Sequence, residues 1–306
     1  MKYIDIHSHT SCSDGAKLPR EVLSLAEEEG LSIFSVSDHN TVDAYEEIEQ
    51  YRHLFSGDIL PAVELSTVFD GESIEILGYG IDHVKMKKLI SENYLSYYDK
   101  QVKEAKLDTD AVLRLGAVLD DSFVRAMHED PESIFDPHRL TCRIELLKEI
   151  RRHPENARFF KSREEFETID HQRFTREYLF NSRSTLYSDQ SSLGPDVYKV
   201  IDMIHECGGL TFLAHPFMYS AGFIDRLPEV CACGVDGVEC YYGIFDEDQK
   251  KYLVDFCDAR GFYKSGGSDY HGLPTRTRNR MGYSNGRRID YSLIEDWMPF
   301  VENSII

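Results

Sequence analysis

The chain has 306 residues, 42% hydrophobic and 29% charged, and a formal charge of −20. This length allows a large buried core, and the acidic balance disfavours general binding of long polyanions. Apolar stretches fall short of the ~18 residues that a membrane span needs.

Lys2 to His9 reads as a strand that begins at once, without a signal-peptide pattern, so a cytoplasmic location is expected. Pro19 to Glu29 predicts a helix: Pro19 suits the first turn, Val22, Leu25 and Ala26 form an apolar stripe, and Gly30 stops it. Ser32 to Asp38 predicts a second strand and Thr41 to Leu54 a second helix, followed by strands at Ile59 to Leu65 and Ser73 to Tyr79. This alternation signals βα units around a parallel sheet or barrel. From Ser91 to Gly194 the chain is rich in Glu, Lys and Arg and reads as a helical insertion. Polar breaks fall near Asp130-Pro131, Asp136-Pro137 and His153-Pro154, and Leu140 to Ile150 has a one-sided apolar pattern. After Pro195 the βα rhythm returns: a helix over Asp196 to Cys207, strands at Leu210 to His215 and Gly237 to Tyr242, a helix over Gln249 to Arg260, and a strand from Phe262 to Ser265. One domain is expected over 1–306, with a discontinuous α/β body (1–90 and 195–290) and the 91–194 insertion as a cap over the substrate.

The seven cysteines are scattered, and Cys231-Ala232-Cys233 has no second pair, so buried reduced thiols are expected. There is no Gly-rich phosphate loop of the G-x-x-x-x-G-K-[ST] type and no G-x-S-x-G elbow.

Chemistry gathers at the strand ends. His7 and His9 lie at i and i+2, so their side chains share one face of a strand. Ser13-Asp14-Gly15 follows the first strand, Asp38-His39-Asn40 ends the second, and Glu64 ends the third. Ala214-His215-Pro216 and Gly267-Ser268-Asp269-Tyr270-His271-Gly272 end later strands. In a βα barrel these C-terminal ends converge on one face. Imidazoles and carboxylates collected there need cations to offset their charge. The donor set suits zinc, manganese or iron, and no cysteine joins it.

The motif series His7-Ser8-His9, Ser13-Asp14-Gly15, Asp38-His39-Asn40, Glu64, Ile76-Leu77-Gly78-Tyr79, Ala214-His215-Pro216 and Gly267 to Gly272 resembles the PHP (polymerase and histidinol phosphatase) family, above all its 3′,5′-nucleotide bisphosphate phosphatases and RNA-trimming enzymes. The resemblance implies a distorted seven-stranded (β/α) TIM-like barrel and two or three divalent ions (Mn, Fe or Zn). By position, His7, His9, Glu64 and Asp269 would hold one ion. Glu64 would bridge to a second ion shared with His215, and Asp14, His39 and His271 would hold a third. The family usually has histidine where this chain has Glu75, and a glutamate ligand there would favour a harder ion.

The activity implied is hydrolysis of a phosphate monoester on a small phosphorylated nucleotide by activated water, with Asp269, His39 and His271 in catalytic roles. Exonucleolytic trimming of short RNA from the 5′ end, histidinol phosphatase activity, a C–N hydrolase and a non-catalytic metal-binding module are the alternatives. No membrane and no protein partner is implied. Substrate phosphate would meet an arginine fork, for which Arg139, Arg143, Arg183 with Ser184, and Arg276, Arg278 and Arg280 are candidates. Phe217 and Tyr219 are candidates for stacking on a base.

Overall fold

A computed structural model describes residues 1–136, 142–274 and 278–306. Strands β1 (Ile4–Asp5), β2 (Ile33–Phe34) and β3 (Asp58–Ile59) form a parallel sheet, with Ile4 opposite Ile33 and Phe34 opposite Ile59. A second sheet runs β4 (Ala62–Phe69), β5 (Glu72–Tyr79), β6 (Leu210–Leu213), β7 (Gly237–Tyr242) and β8 (Tyr263–Gly267). Single parallel bridges, Ser8 to Tyr270 and His39 to Glu64, join the two sheets. The regular ladders do not close into one continuous sheet.

The sheet is not purely parallel, as the βα rhythm alone predicts. β4 and β5 pair antiparallel, as do β5 and β6; only β6, β7 and β8 run parallel. The local cause is Asp70-Gly71, where φ is 50° and 78°. Asp-Gly with both residues left-handed makes the tight turn whose twist suits a hairpin. The strands of the first sheet are also shorter than expected. Beyond Asp5 the chain is held by isolated backbone bonds, from Asp269 N to His7 O and from His9 N to Tyr270 O, both 2.9 Å, and by the Asp38 carboxylate, which accepts from Thr10 N at 2.7 Å and Thr10 Oγ1 at 2.6 Å.

The helices fall close to their predicted places, at Pro19–Glu28, Ala44–Gln50, Val197–Glu206 and Glu247–Arg260. The first buries Val22, Leu23 and Ala26, with Leu25 at the edge of the core. Beneath the strands, Ile4, Ile6, Leu77, Tyr79, Phe212 and Trp297 pack in a second apolar cluster. Trp297 is fully buried, and its indole N–H donates to the Lys264 carbonyl at 2.9 Å, so its large ring carries no unsatisfied donor.

The insertion is helical, with its longest helices at Tyr97–Arg114 and Cys142–Arg152. It has a core of its own, in which Phe160, Phe166, Phe174 and Tyr178 meet Leu146, Leu147 and Ile150. Among the described residues, no helix is long and apolar enough to cross a membrane.

Candidate metal centre

The ends of several strands bring imidazoles and carboxylates into one buried pocket. His7 and His9, just past β1, are both 0% exposed. Each has Nε2 3.3 Å from Glu64 Oε2, and each approaches Asp269 Oδ1, at 3.5 and 3.0 Å. Glu64, on β4, reaches further: Oε2 is 3.1 Å from His39 Nδ1, and Oε1 is 3.0 Å from His215 Nε2. Asp14 Oδ1 lies 3.0 Å from His271 Nε2, and 3.8 Å from both His9 Nδ1 and His39 Nε2.

Glu75 points into the same pocket. Ser66 pairs with Glu75 and Glu64 with Leu77, so the two glutamates stand diagonally on one face of the hairpin. Glu75 Oε1 lies 3.3 Å from His39 Nδ1, and Oε2 lies 3.3 Å from His215 Nε2.

Backbone strain helps to aim these groups. Asn40, His215 and Asp269 have φ of 52°, 26° and 54°. Such conformations cost roughly 1–3 kcal/mol each for residues other than glycine, and surrounding structure must hold them. The glycine before the last motif has a steric reason: a Cβ on Gly267 would lie 2.2 Å from His7 Cβ. Any side chain there would push His7 out of the pocket.

The electrostatics would suit a bound cation. Buried His7 Nε2, both nitrogens of His9, Asp14 Oδ1, His39 Nδ1 and Glu64 Oε2 have no hydrogen-bond partner. They approach one another closely without the alignment of donor to acceptor. Burial alone would push His9 down, but the Asp269 and Glu64 carboxylates lift it to about 10. Burial likewise lowers His7 and His215, but neighbouring carboxylates outweigh it and raise both well above the usual imidazole value. His271 goes the other way, lowered by burial and by His9. Burial would raise Glu64, yet His7 and His39 hold it well below the usual carboxylate range; Asp269 is held down similarly, by His271 and His9. The carboxylates therefore need positive charge, supplied either by protons on the rings or by bound cations.

Among the described residues, four sets of donor atoms in this pocket each lie within 4.8 Å of one another: His9, Asp14, His39 and His271; His7, His9 and Asp269; His7, Glu64 and His215; and His39, Glu64 and Glu75. Convergent, unpartnered nitrogen and oxygen atoms fit borderline or hard divalent ions.

Several supporting residues escape a motif reading. Asp5 accepts from Ser268 N at 2.9 Å, Ser268 Oγ at 2.6 Å and Gly282 N at 2.7 Å, which anchors the loop carrying Asp269. Tyr242 Oη donates to Asp269 Oδ2 at 2.7 Å. Glu239, fully buried on β7, lies against His7 and the backbone of His215. The available signal was a single carboxylate in the otherwise uncharged strand Gly-Val-Glu-Cys-Tyr-Tyr.

The candidate phosphate-binding residues are dispersed. Arg139 and Arg276 lie outside the described residues. The structure gives Arg143 another task. It is partly buried in the insertion, 2.8 Å from Asp108 and 3.3 Å from Glu104, with its guanidinium over the Phe180 ring. Its donors are spent on holding helices together. Ser184 Oγ is likewise taken by its own loop, donating to the Tyr178 carbonyl and accepting from Leu186 N. Arg183 is exposed. Arg280 pairs with Glu29 at 3.1 Å, and Arg278 is exposed. Tyr219 lies against the pocket, its ring 5.5 Å from that of His215, and its hydroxyl accepts from Glu75 N at 2.9 Å. Phe217 packs edge-on against Phe245.

A scan of protein-family models finds no match for this chain. Among curated proteins, it is 25% identical over 276 residues to a 5′-3′ exoribonuclease of Haemophilus influenzae, covering 88% of this chain and 90% of that one. It is 26% identical over 274 residues to a 3′,5′-nucleoside bisphosphate phosphatase of Chromobacterium violaceum, covering 89% and 88%. Among solved structures, a Chromobacterium violaceum amidohydrolase superposes with a TM-score of 0.65 at 22% identity, over 99% of this chain and 97% of the other. That likeness concerns the fold alone.

Proposed function

We propose that this chain, a homologue of the 3′,5′-nucleoside bisphosphate phosphatase and 5′-3′ exoribonuclease group of PHP phosphoesterases, removes a phosphate from a small phosphorylated nucleotide with the help of divalent ions. The observation that carries the reading is the set of buried imidazole and carboxylate atoms that converge without hydrogen-bond partners. In this reading the strands around the pocket, from 1–90 and 195–290, make a distorted (β/α) barrel. The insertion, 91–194, caps its substrate side, and the protein works in the cytoplasm.

His7, His9, Glu64 and Asp269 would hold one ion, with Glu64 shared towards His215 and Glu75 for a second. Asp14, His39 and His271, beside His9, would hold a third. Manganese, iron or zinc suits these donors, and Glu75 tilts the second position towards manganese. When bound, such ions would supply Lewis acidity, making a water nucleophilic near neutral pH and neutralising charge on the phosphoryl oxygens.

The chain's own residues set direction and proton flow. Tyr242 holds Asp269 by Oδ2, which leaves Oδ1 facing the pocket to orient the attacking water and accept its proton. His39 is 26% exposed, in contrast to the fully enclosed His9. It is therefore placed to meet the substrate phosphate. Tyr219 walls the pocket beside His215, where it excludes water.

The direct test compares release of inorganic phosphate, with manganese present, from 3′,5′-adenosine bisphosphate, histidinol phosphate and a 5′-phosphorylated oligoribonucleotide. The bisphosphate is expected to turn over fastest. Mononucleotide release from the oligonucleotide alone would replace this reading with 5′-to-3′ exonuclease activity, which the Haemophilus influenzae relative favours. Preference for histidinol phosphate would move the assignment to that substrate, and no turnover of any would leave a non-catalytic metal-binding module.

Glu75 gives a sharper metal test. Glu75→Ala is expected to release one ion per chain, read by elemental analysis, and to slow turnover at least ~10-fold through lost charge neutralisation. Glu75→His should retain the ion and shift preference from manganese towards zinc. Full metal content and rate in the alanine variant would remove Glu75 from the site.

A further inference from the structure

We infer that Glu239 is a positioning residue that sets two of the proposed metal ligands at once, His7 through its ring and His215 through its backbone. The inference rests on the metal-centre reading above and adds to it the device that orients the ligands.

Glu239 lies on β7 and is 0% exposed. One carboxylate oxygen, Oε1, is 2.8 Å from His7 Nδ1. The other, Oε2, accepts from the backbone N–H of His215 at 2.8 Å. An ionised carboxylate only accepts, so the ring nitrogen facing it must carry the proton. His7 is thereby held with Nδ1 protonated. Its Nε2, 3.3 Å from Glu64 and without a hydrogen-bond partner, is left to face the other ligands. Metal-bound histidines commonly donate their second N–H in this way, which fixes the tautomer and raises ligand basicity.

The second contact addresses strain. His215 sits at φ 26°, a conformation that a residue with a side chain rarely adopts. Accepting from its N–H gives that backbone a fixed partner and aims the imidazole at Glu64, 3.0 Å away. His7 follows β1 and His215 follows β6, strands that are not neighbours. One side chain therefore sets the register between two ligands from different parts of the chain.

The alternative is that Glu239 is merely a buried polar residue satisfying its surroundings. Its own neighbourhood argues otherwise. Ser265 is its partner in the β7–β8 register, and the Ser265 hydroxyl is buried without a hydrogen-bond partner. The carboxylate spends its short bonds on the two histidines instead.

The test measures manganese(II) affinity by chelator competition in the full chain, with the melting temperature of chelator-treated protein as the structural control. Glu239→Gln keeps the volume but must set an amide N–H₂ against one of two N–H donors. It is expected to weaken manganese binding about 10–100-fold, while the chelator-treated protein melts close to wild type. Ser265→Ala, which alters the core at Glu239's strand partner, is expected to leave the affinity unchanged. Wild-type affinity in a folded Glu239→Gln chain overturns the inference alone, as does an equal loss in Ser265→Ala. A wild-type chain that binds no manganese overturns both the inference and the metal-centre reading. Should Glu239→Gln not fold, ¹⁵N NMR of the zinc-loaded wild type decides: His7 is expected to carry hydrogen on Nδ1 and metal on Nε2, and the reverse would defeat the proposal.

Discussion

Glu64→Gln is expected to lower kcat/KM for 3′,5′-adenosine bisphosphate by at least ~10³-fold, equivalent to about 4 kcal/mol of transition-state stabilisation. This one carboxylate lies within 3.3 Å of nitrogens on four imidazoles, those of His7, His9, His39 and His215. Glutamine fills the same space but loses the charge, and its amide N–H₂ presents donors where cations should lie. Removing one member of a buried charged group typically costs about 3–5 kcal/mol, because the remaining charges are left uncompensated. Elemental analysis should show fewer ions per chain, and far-ultraviolet circular dichroism should match wild type. A folded Glu64→Gln chain within tenfold of the wild-type rate would refute the shared-ligand arrangement. The rate and the metal content must fall together, since the same carboxylate is proposed to serve both.

The second large effect is on stability, and its sign depends on pH. Without ions, His9 titrates at about 10, lifted by Asp269 and Glu64 against the opposing effect of burial. Unfolded, it titrates near ~6.5. A folded value above the unfolded one stabilises fully below about 6.5, and that contribution disappears as pH rises through about 10. His7 and His215 are raised in the same direction and add to the effect. Asp14, Glu64 and Asp269 are depressed, so their contribution is present above the ordinary carboxylate range of ~4 and is lost as pH falls through their folded values. The metal-free chain should accordingly be most stable between about 4 and 6.5 and should weaken on the alkaline side.

Added ions should reverse the alkaline loss. They compete with protons for the same lone pairs, so binding strengthens as pH rises. At a free concentration 100-fold above Kd, one ion adds about 2.7 kcal/mol, or roughly 4 °C in a chain of this size. Differential scanning fluorimetry from pH 5.5 to 9, with manganese and with chelator, measures both curves. The gap between them is expected to widen with pH. A constant gap, or none, would show that the histidines do not exchange protons for metal.

The candidate donor residues are legible in the sequence itself. His7, His9, Asp14, His39, His215, Asp269 and His271 lie beyond strand ends, Glu64 lies within β4 rather than at a strand end, and the structure gathers them in one pocket. The pattern is local: apolar strand, then a polar residue, then a turn. The helices over Pro19–Glu28 and Val197–Glu206 were equally readable, because their stop signals and apolar spacing lie within one segment.

Other features were settled only by the tertiary structure. The amino acids at Glu75 and Glu239 name possible donors, but the direction of each side chain follows from pairing. Glu75 faces inward because Ser66 stands opposite it on β4, and Glu239 acts on His7 and His215, 232 and 24 residues away. Arg143 looked available for phosphate until its buried partners Glu104 and Asp108 were in place. The antiparallel β5–β6 pairing was also hidden, since the whole insertion separates those strands in sequence. Local pattern determines which groups can bind, because period, caps and turns are properties of neighbouring residues. Which groups meet, and which are consumed elsewhere, is decided by contacts between distant segments, where packing and charge compensation set the result.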